Sequence, residues 1–166
     1  MIKLLLILLL FSCGKSSLQV TKNQAVKNFD IEKYAGTWYE VARMENHTFQ
    51  KECKAVILTY KAIKNGLLFL NECFDAHNNK LKEVTTRAFI KEPNIGDFTV
   101  FLYSIIKLEY KIIYVDKNYQ NAIVEGQNGK YLWIISKNKN IGQQSVKDLT
   151  KKVSKLGYDT TKLIFI

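Results

Sequence analysis

Nine stretches, at roughly 37–45, 54–61, 67–74, 80–90, 97–104, 109–116, 121–126, 130–137 and 162–166, are rich in aromatic and β-branched residues. Such residues suit a pleated, half-buried surface, and their alternation with polar positions reads as strand. Turn signals separate them: Asn65-Gly66, His77-Asn78-Asn79, Pro93-Asn94-Ile95-Gly96, Asp116-Lys117-Asn118 and Gln127-Asn128-Gly129. Eight consecutive short strands with mostly tight links predict an all-β fold, an antiparallel up-and-down sheet. Such a sheet loses its exposed edges by closing into a barrel. Between the last two strands the period lengthens. Val146, Leu149, Val153 and Leu156 fall at helical spacing, with Ser145 or an upstream polar residue as cap and Gly157 just past the end. This predicts one C-terminal α-helix outside the sheet, with Lys147, Lys151 and Lys155 solvated, followed by a short final strand.

The first strand has a distinctive approach. A polar segment from Asp30 able to make one helical turn leads into Gly36, Thr37 and Trp38. Gly36 permits a backbone conformation or a close approach that a Cβ would block. On these residues alone the segment is the first strand of some all-β domain.

The N-terminus is of another kind. Lys3 precedes an unbroken apolar run from Leu4 to Phe11, too short for a membrane span and of the length of a secretory core segment. Leu10-Phe11-Ser12-Cys13 resembles a bacterial lipobox, although Phe11 is bulkier than usual at its position. That resemblance implies a signal peptide over residues 1–12 and lipidation of Cys13. Residues 13–27 would then be a lipidated N-terminus and flexible tether, anchored to the membrane by acyl chains. Gly14 after the cysteine implies the outer membrane. The alternative is an ordinary signal peptide in which Cys13 is incidental.

Export changes the meaning of the two other cysteines. Cys53 and Cys73 are an even pair in an oxidising compartment. They flank a hairpin whose turn is Asn65-Gly66, which brings its ends together. A Cys53–Cys73 disulfide is expected; two unpaired thiols are the alternative. Net charge is +10, but the lysines are scattered, and no nucleic-acid-binding pattern accompanies even the cluster Lys147, Lys151, Lys152 and Lys155. No nucleic acid partner is expected.

Taken together, Gly36-Thr37-Trp38, the strand Tyr131-Leu132-Trp133-Ile134-Ile135-Ser136-Lys137, the eight-strand count, the helix and the lipobox resemble a lipocalin over residues 28–166, in particular the bacterial outer-membrane lipoprotein type. The resemblance implies an eight-stranded calyx with Gly36, Trp38, Asp116 and Lys137 as structural residues at its closed end. It departs from the family twice. Only Asp116 remains of a Thr-Asp-Tyr motif, and Lys137 stands where an arginine packs across the tryptophan. A lysine still places a cation over an indole, with fewer hydrogen bonds on offer.

If Trp38 and Lys137 mark the closed end, strand parity turns Tyr131, Trp133 and Ile135 inward. The same argument from Asp116 turns Tyr110, Ile112 and Tyr114 inward. With Trp38, these are the expected ligand-binding residues; the bland alternative is that they fill the barrel and leave no cavity. Glu40 shares the parity of Trp38 and needs an interior partner, either tyrosine hydroxyls or Lys137. The resemblance implies a membrane-anchored carrier of fatty acids or lysophospholipids serving the cell envelope, with no cofactor and no metal, and it leaves a homodimer open. Alternatives are a carrier of a tetrapyrrole or retinoid-like ligand, or an isomerase. Catalysis has little support: the two histidines, His47 and His77, sit in polar loop stretches with no paired nucleophile at recognisable spacing.

Overall fold

A computed structural model of the chain describes residues 23–45, 50–103 and 105–166. The predicted leader, Cys13 and His47 lie outside the described residues. A one-turn helix, α1 (Ile31–Tyr34), precedes eight strands: β1 (Gly36–Met44), β2 (Ala55–Ile63), β3 (Gly66–Phe74), β4 (Lys80–Ile90), β5 (Asp97–Leu102), β6 (Ile106–Val115), β7 (Asn121–Gly126) and β8 (Tyr131–Ser136). Helix α2 (Gln143–Lys155), a 3-10 turn and the short β9 (Leu163–Phe165) follow. Each strand pairs antiparallel with the next, and β1 pairs with both β8 and β2, which closes the barrel. The final strand adds to the other end of β1, where Met44 faces Leu163.

Two bulges decide which side chains enter the barrel. In β1 the register shifts between Glu40 and Ala42, so Val41 is the extra residue and both Val41 and Ala42 face outward. Glu40 and Arg43 therefore both point inward, three residues apart. In β6 the shift falls between Ile112 and Tyr114. Ile113 and Tyr114 both pack outside, whereas Val115 returns to the interior.

The core accordingly has two parts. Inside, Trp38, Tyr34, Phe29, Phe98 and Ile112 fill one end of the barrel. Outside, Leu149 and Val153 of α2 pack on Ile113, Ile123, Leu132 and Ile134. Helix α2 starts at Gly142 without a side-chain cap, not at Ser145, and Gly157 follows its end with a φ of 90°. Lys147, Lys151 and Lys155 are exposed. Residues 23–27, expected in the tether, are seated on the barrel. Val26 exchanges backbone bonds with Ile112 and Gly96, and Lys27 bridges to Ile95.

The closed end is built on Gly36 and Trp38. Gly36 has a φ of 119°, in the region that favours glycine, and a Cβ there would lie 3.6 Å from the Lys137 Nζ. The ammonium group passes over that glycine, sits 5.1 Å from the Trp38 ring centroid, and donates to the carbonyls of Lys33 at 2.7 Å and Ala35 at 2.8 Å. These are carbonyls at the end of α1 that the helix itself leaves open. The Trp38 indole N–H donates to the Tyr34 carbonyl at 2.8 Å. Asp116 organises the adjacent turn by accepting from the Asn118 and Gln120 amides and the Asn121 side chain. In the same turn the Tyr119 hydroxyl accepts from the Asp30 amide.

The Cys53–Cys73 disulfide is formed, which removes the alternative of two free thiols. It ties the segment before β2 to β3 across 20 residues of sequence.

Replacing Lys137 tests the closure. Lys137→Met removes the donor to two partly solvated carbonyls and should lower unfolding free energy by about 0.5–1.5 kcal/mol. Lys137→Arg, which keeps a cation and donors, should recover most of it. Equal denaturant midpoints for all three proteins would show that the contact contributes nothing to closure.

Candidate functional site

Above the packed floor the barrel is hollow. A cavity of about 430 Å³ opens at the end opposite Trp38, within the range of ligand pockets, about 300–1,000 Å³. Its walls follow the strand period of two: Val56, Leu58 and Tyr60 from β2, Phe69 and Asn71 from β3, and Val84 and Thr86 from β4. Val100, Leu108 and Val124 continue the apolar surface around the other side. Polar and charged residues gather toward the mouth, among them Glu72, Lys82, Glu109 and Gln127.

At the bottom the cavity meets phenol groups. Tyr60 and Tyr110 line it, and Tyr34 lies below, buried in the floor. The Tyr34 and Tyr110 hydroxyls are 2.7 Å apart, and Tyr110 donates to the Tyr60 hydroxyl at 3.0 Å. Tyr34 stacks on Tyr60 with centroids 5.4 Å apart. Burial pushes all three phenols well above their ordinary value, so they remain neutral donors and acceptors at the base of an apolar pocket.

One wall carries a buried ionic network. Arg43 Nη1 donates to Glu40 Oε1 at 2.6 Å, and Arg43 Nη2 donates to the carbonyls of Gln50 and Cys53, each at 2.9 Å. The Gln50 side chain donates to Glu40 Oε2 at 2.8 Å and accepts from the Trp133 indole N–H at 2.7 Å. Gln50 and Trp133 line the cavity, so the network holds the indole upright in its wall. Gly126 makes room for that ring: a Cβ there would meet it at 3.1 Å. Two further lining residues present buried oxygens without a hydrogen-bond partner, Asn71 Oδ1 and Thr86 Oγ1.

The expected ligand-binding residues fall into three places. Tyr110, Tyr131 and Trp133 line the cavity. Trp38, Ile112 and Ile135 point inward but belong to the packed core. Tyr114 does not enter the barrel. The bulge at Ile113 reverses its direction, and it lies outside among the residues around α2, with Lys152 Nζ 4.0 Å from its ring centroid. Glu40 is interior, but its partners are Arg43 and Gln50, neither Lys137 nor a tyrosine. Strict alternation from Glu40 turns Arg43 outward, so only the bulge at Val41 reveals that partner. His77 is exposed, in the turn before β4. Among the described residues no cluster of three or more His, Cys, Asp or Glu side chains could hold a metal ion.

A model of the lipocalin-like domain matches residues 29–166. Over 146 residues the chain is 36% identical to a protein of Acanthamoeba polyphaga mimivirus that carries the lipocalin name, covering 82% of this chain and 83% of that one. It is 29% identical over 143 residues to the outer membrane lipoprotein Blc of Escherichia coli K12, covering 85% and 80%. Among solved structures, lobster apocrustacyanin A1 superposes with a TM-score of 0.65 at 15% identity, over 87% of this chain and 89% of that one.

Glu40 gives the site a pH signature. Burial raises its carboxyl above the ordinary value, against the opposing pull of the Arg43 guanidinium and the Gln50 amide. With the folded value above the unfolded one, the folded state holds the extra proton. The contribution is complete below the ordinary carboxylate range and is lost as pH rises through the raised value. Glu40→Gln removes that slope. In urea titrations from about pH 4 to about pH 8, the stability of the wild type relative to the variant should fall as pH rises. Parallel curves would contradict the assignment.

Proposed function

The chain belongs to the lipocalin-like family, and on that premise we propose that it is a membrane-anchored carrier of single-chain lipids, fatty acids or lysophospholipids. The observation that carries this reading is the cavity, lined mostly by apolar side chains, closed below by aromatic rings and open at a mouth where Glu72, Lys82, Glu109 and Gln127 collect. An acyl chain fits the apolar depth, and its head group meets the polar mouth. The partial desolvation of a chain inside such a pocket supplies the affinity.

The anchor is the second part of the proposal. Residues 1–13 have the pattern of a lipoprotein signal, and several relatives are named as outer membrane lipoproteins. With Cys13 acylated, the protein would work at the outer membrane, where single-chain lipids arise and need removal or storage. Its role would be binding and transport, not catalysis: Cys53 and Cys73 are bonded to each other, so neither supplies a thiolate.

Titrating the full chain with palmitate or lysophosphatidylcholine tests the reading through tryptophan fluorescence, because Trp133 stands in the cavity wall. A saturable change is expected, and Val84→Phe, which sets a ring into the cavity from β4, should weaken binding while leaving the circular dichroism spectrum of the barrel intact. Equal binding by the wild type and the variant would place the ligand elsewhere.

A further inference from the structure

The rim of the cavity carries an apolar tip that the barrel does not use. In the turn between β5 and β6, Tyr103 is 77% exposed, Ile105 80% and Ile106 45%. The tip is continuous with the cavity, since Leu102 and Tyr103 also line the mouth. Just below it, Phe89 and Phe101 pack edge to face at 5.9 Å, with Lys107 Nζ 5.8 Å from the Phe101 ring. At the neighbouring rim turn Lys130 Nζ lies 5.4 Å from the Tyr131 ring. Both lysines are exposed, and neither makes an ion pair among the described residues.

Exposed isoleucine and tyrosine side chains flanked by uncommitted lysines match the chemistry of a bilayer interface. There the aliphatic and aromatic groups enter the acyl boundary and the cations meet anionic head groups. The course of the N-terminal chain points the same way. Phe29 lies at the floor, Val26 bonds to Gly96 of a floor turn and to Ile112 of β6, and Asn23 donates to Glu125 Oε2, one residue before the end of β7. Traced backwards, the described chain leaves the floor and runs along the outside of the barrel to Glu125 of β7. Cys13 lies ten residues before Asn23, a reach of at most about 35 Å. A tether of that reach lets an anchor at Cys13 hold the protein with its rim against the membrane.

We propose that the β5–β6 tip, through Tyr103, Ile105 and Ile106 with Lys107 and Lys130 beside it, seats in the interfacial layer of a lipid bilayer and holds the mouth of the cavity against it. This rests on the reading of the interior as a lipid site and extends it to the route of loading. A single-chain lipid then passes from bilayer to cavity along apolar surface without crossing bulk water. The tip is a docking surface, and the floor turns at residues 91–96 and 116–120 face away from the membrane.

Hydrogen exchange on the full chain, with and without vesicles of phosphatidylethanolamine and phosphatidylglycerol at roughly three to one, tests this directly. Protection is expected at residues 101–107 and not at 116–120. The double variant I105S/I106S, which alters neither the floor nor a lining residue, should keep the wild-type melting temperature and the wild-type affinity for palmitate in solution. Its rate of taking a fluorescent fatty acid from those vesicles should fall by about tenfold. Protection at the floor turns, protection nowhere, or an unchanged transfer rate would overturn the proposal. So would protection of 101–107 that grows with protein concentration in the absence of vesicles, which would make the tip an interface between two copies. The exchange readout does not depend on palmitate binding, so a failure of the ligand reading and a failure of membrane docking are told apart.

Discussion

The structure depends on the closure of one end of the barrel and not the other. An eight-stranded barrel has an interior just wide enough to be filled by side chains or to hold one small ligand. Here both solutions occur, one above the other. At one end Trp38, Tyr34, Phe29 and Phe98 fill the bore, held by the indole bond to the Tyr34 carbonyl and by the Lys137 ammonium over the tryptophan. The ammonium is partly desolvated, which pulls it below its ordinary value, and it is compensated by two carbonyls and a ring face. Because α1 supplies both those carbonyls and Tyr34, the helical turn before β1 acts as the plug. The remaining length of bore, lined by aliphatic side chains with Tyr60, Phe69, Tyr110 and Trp133 set in its walls, stays open.

Polar groups in the interior are arranged to serve that void. The Glu40–Arg43 pair is buried, and a buried ion pair contributes little net stability unless its remaining donors and acceptors are met. Here they are: the guanidinium reaches two backbone carbonyls, and the carboxylate takes the Gln50 amide. What the network adds is position, since Gln50 in turn fixes the Trp133 indole in the cavity wall. A second buried network lies outside the barrel, where Glu125 accepts from Tyr158 and Asn23 and pairs with Lys111 at 3.3 Å. It joins the N-terminal segment and the chain after α2 to β6 and β7.

Much of this was legible in the sequence because strands, turns and one amphipathic helix leave periodic signals. The order of elements follows from them, the disulfide from an even cysteine pair flanking a hairpin in an exported chain, and the floor residues around Trp38 from the family resemblance. Parity was the weak instrument. Val41 and Ile113 are β-branched residues in the middle of apolar strands, and nothing in their composition marks them as the extra residues of bulges. Beyond each bulge the inside and outside faces exchange, which is why Tyr114 lies on the outer surface and Arg43 inside. The pairing of Glu40 was hidden for the same reason. The seat of residues 23–27 was also hidden, because it rests on backbone bonds to Ile112, Gly96 and Ile95 that a polar sequence does not announce. Gly126 left no trace either, since its role is the space it leaves for a ring arriving from another strand.

A plugged bore with an open apolar upper half amounts to a container for one chain-like molecule, presented at a rim that is polar on most sides and apolar at one tip. The most direct test is to purify the full chain from its membranes under native conditions, extract what it carries and identify it by mass spectrometry. The account predicts one single-chain amphiphile per protein, a fatty acid or lysophospholipid, and its loss from a variant whose cavity is filled. A protein that comes out carrying no apolar molecule, or one carrying a rigid multi-ring pigment, would contradict it.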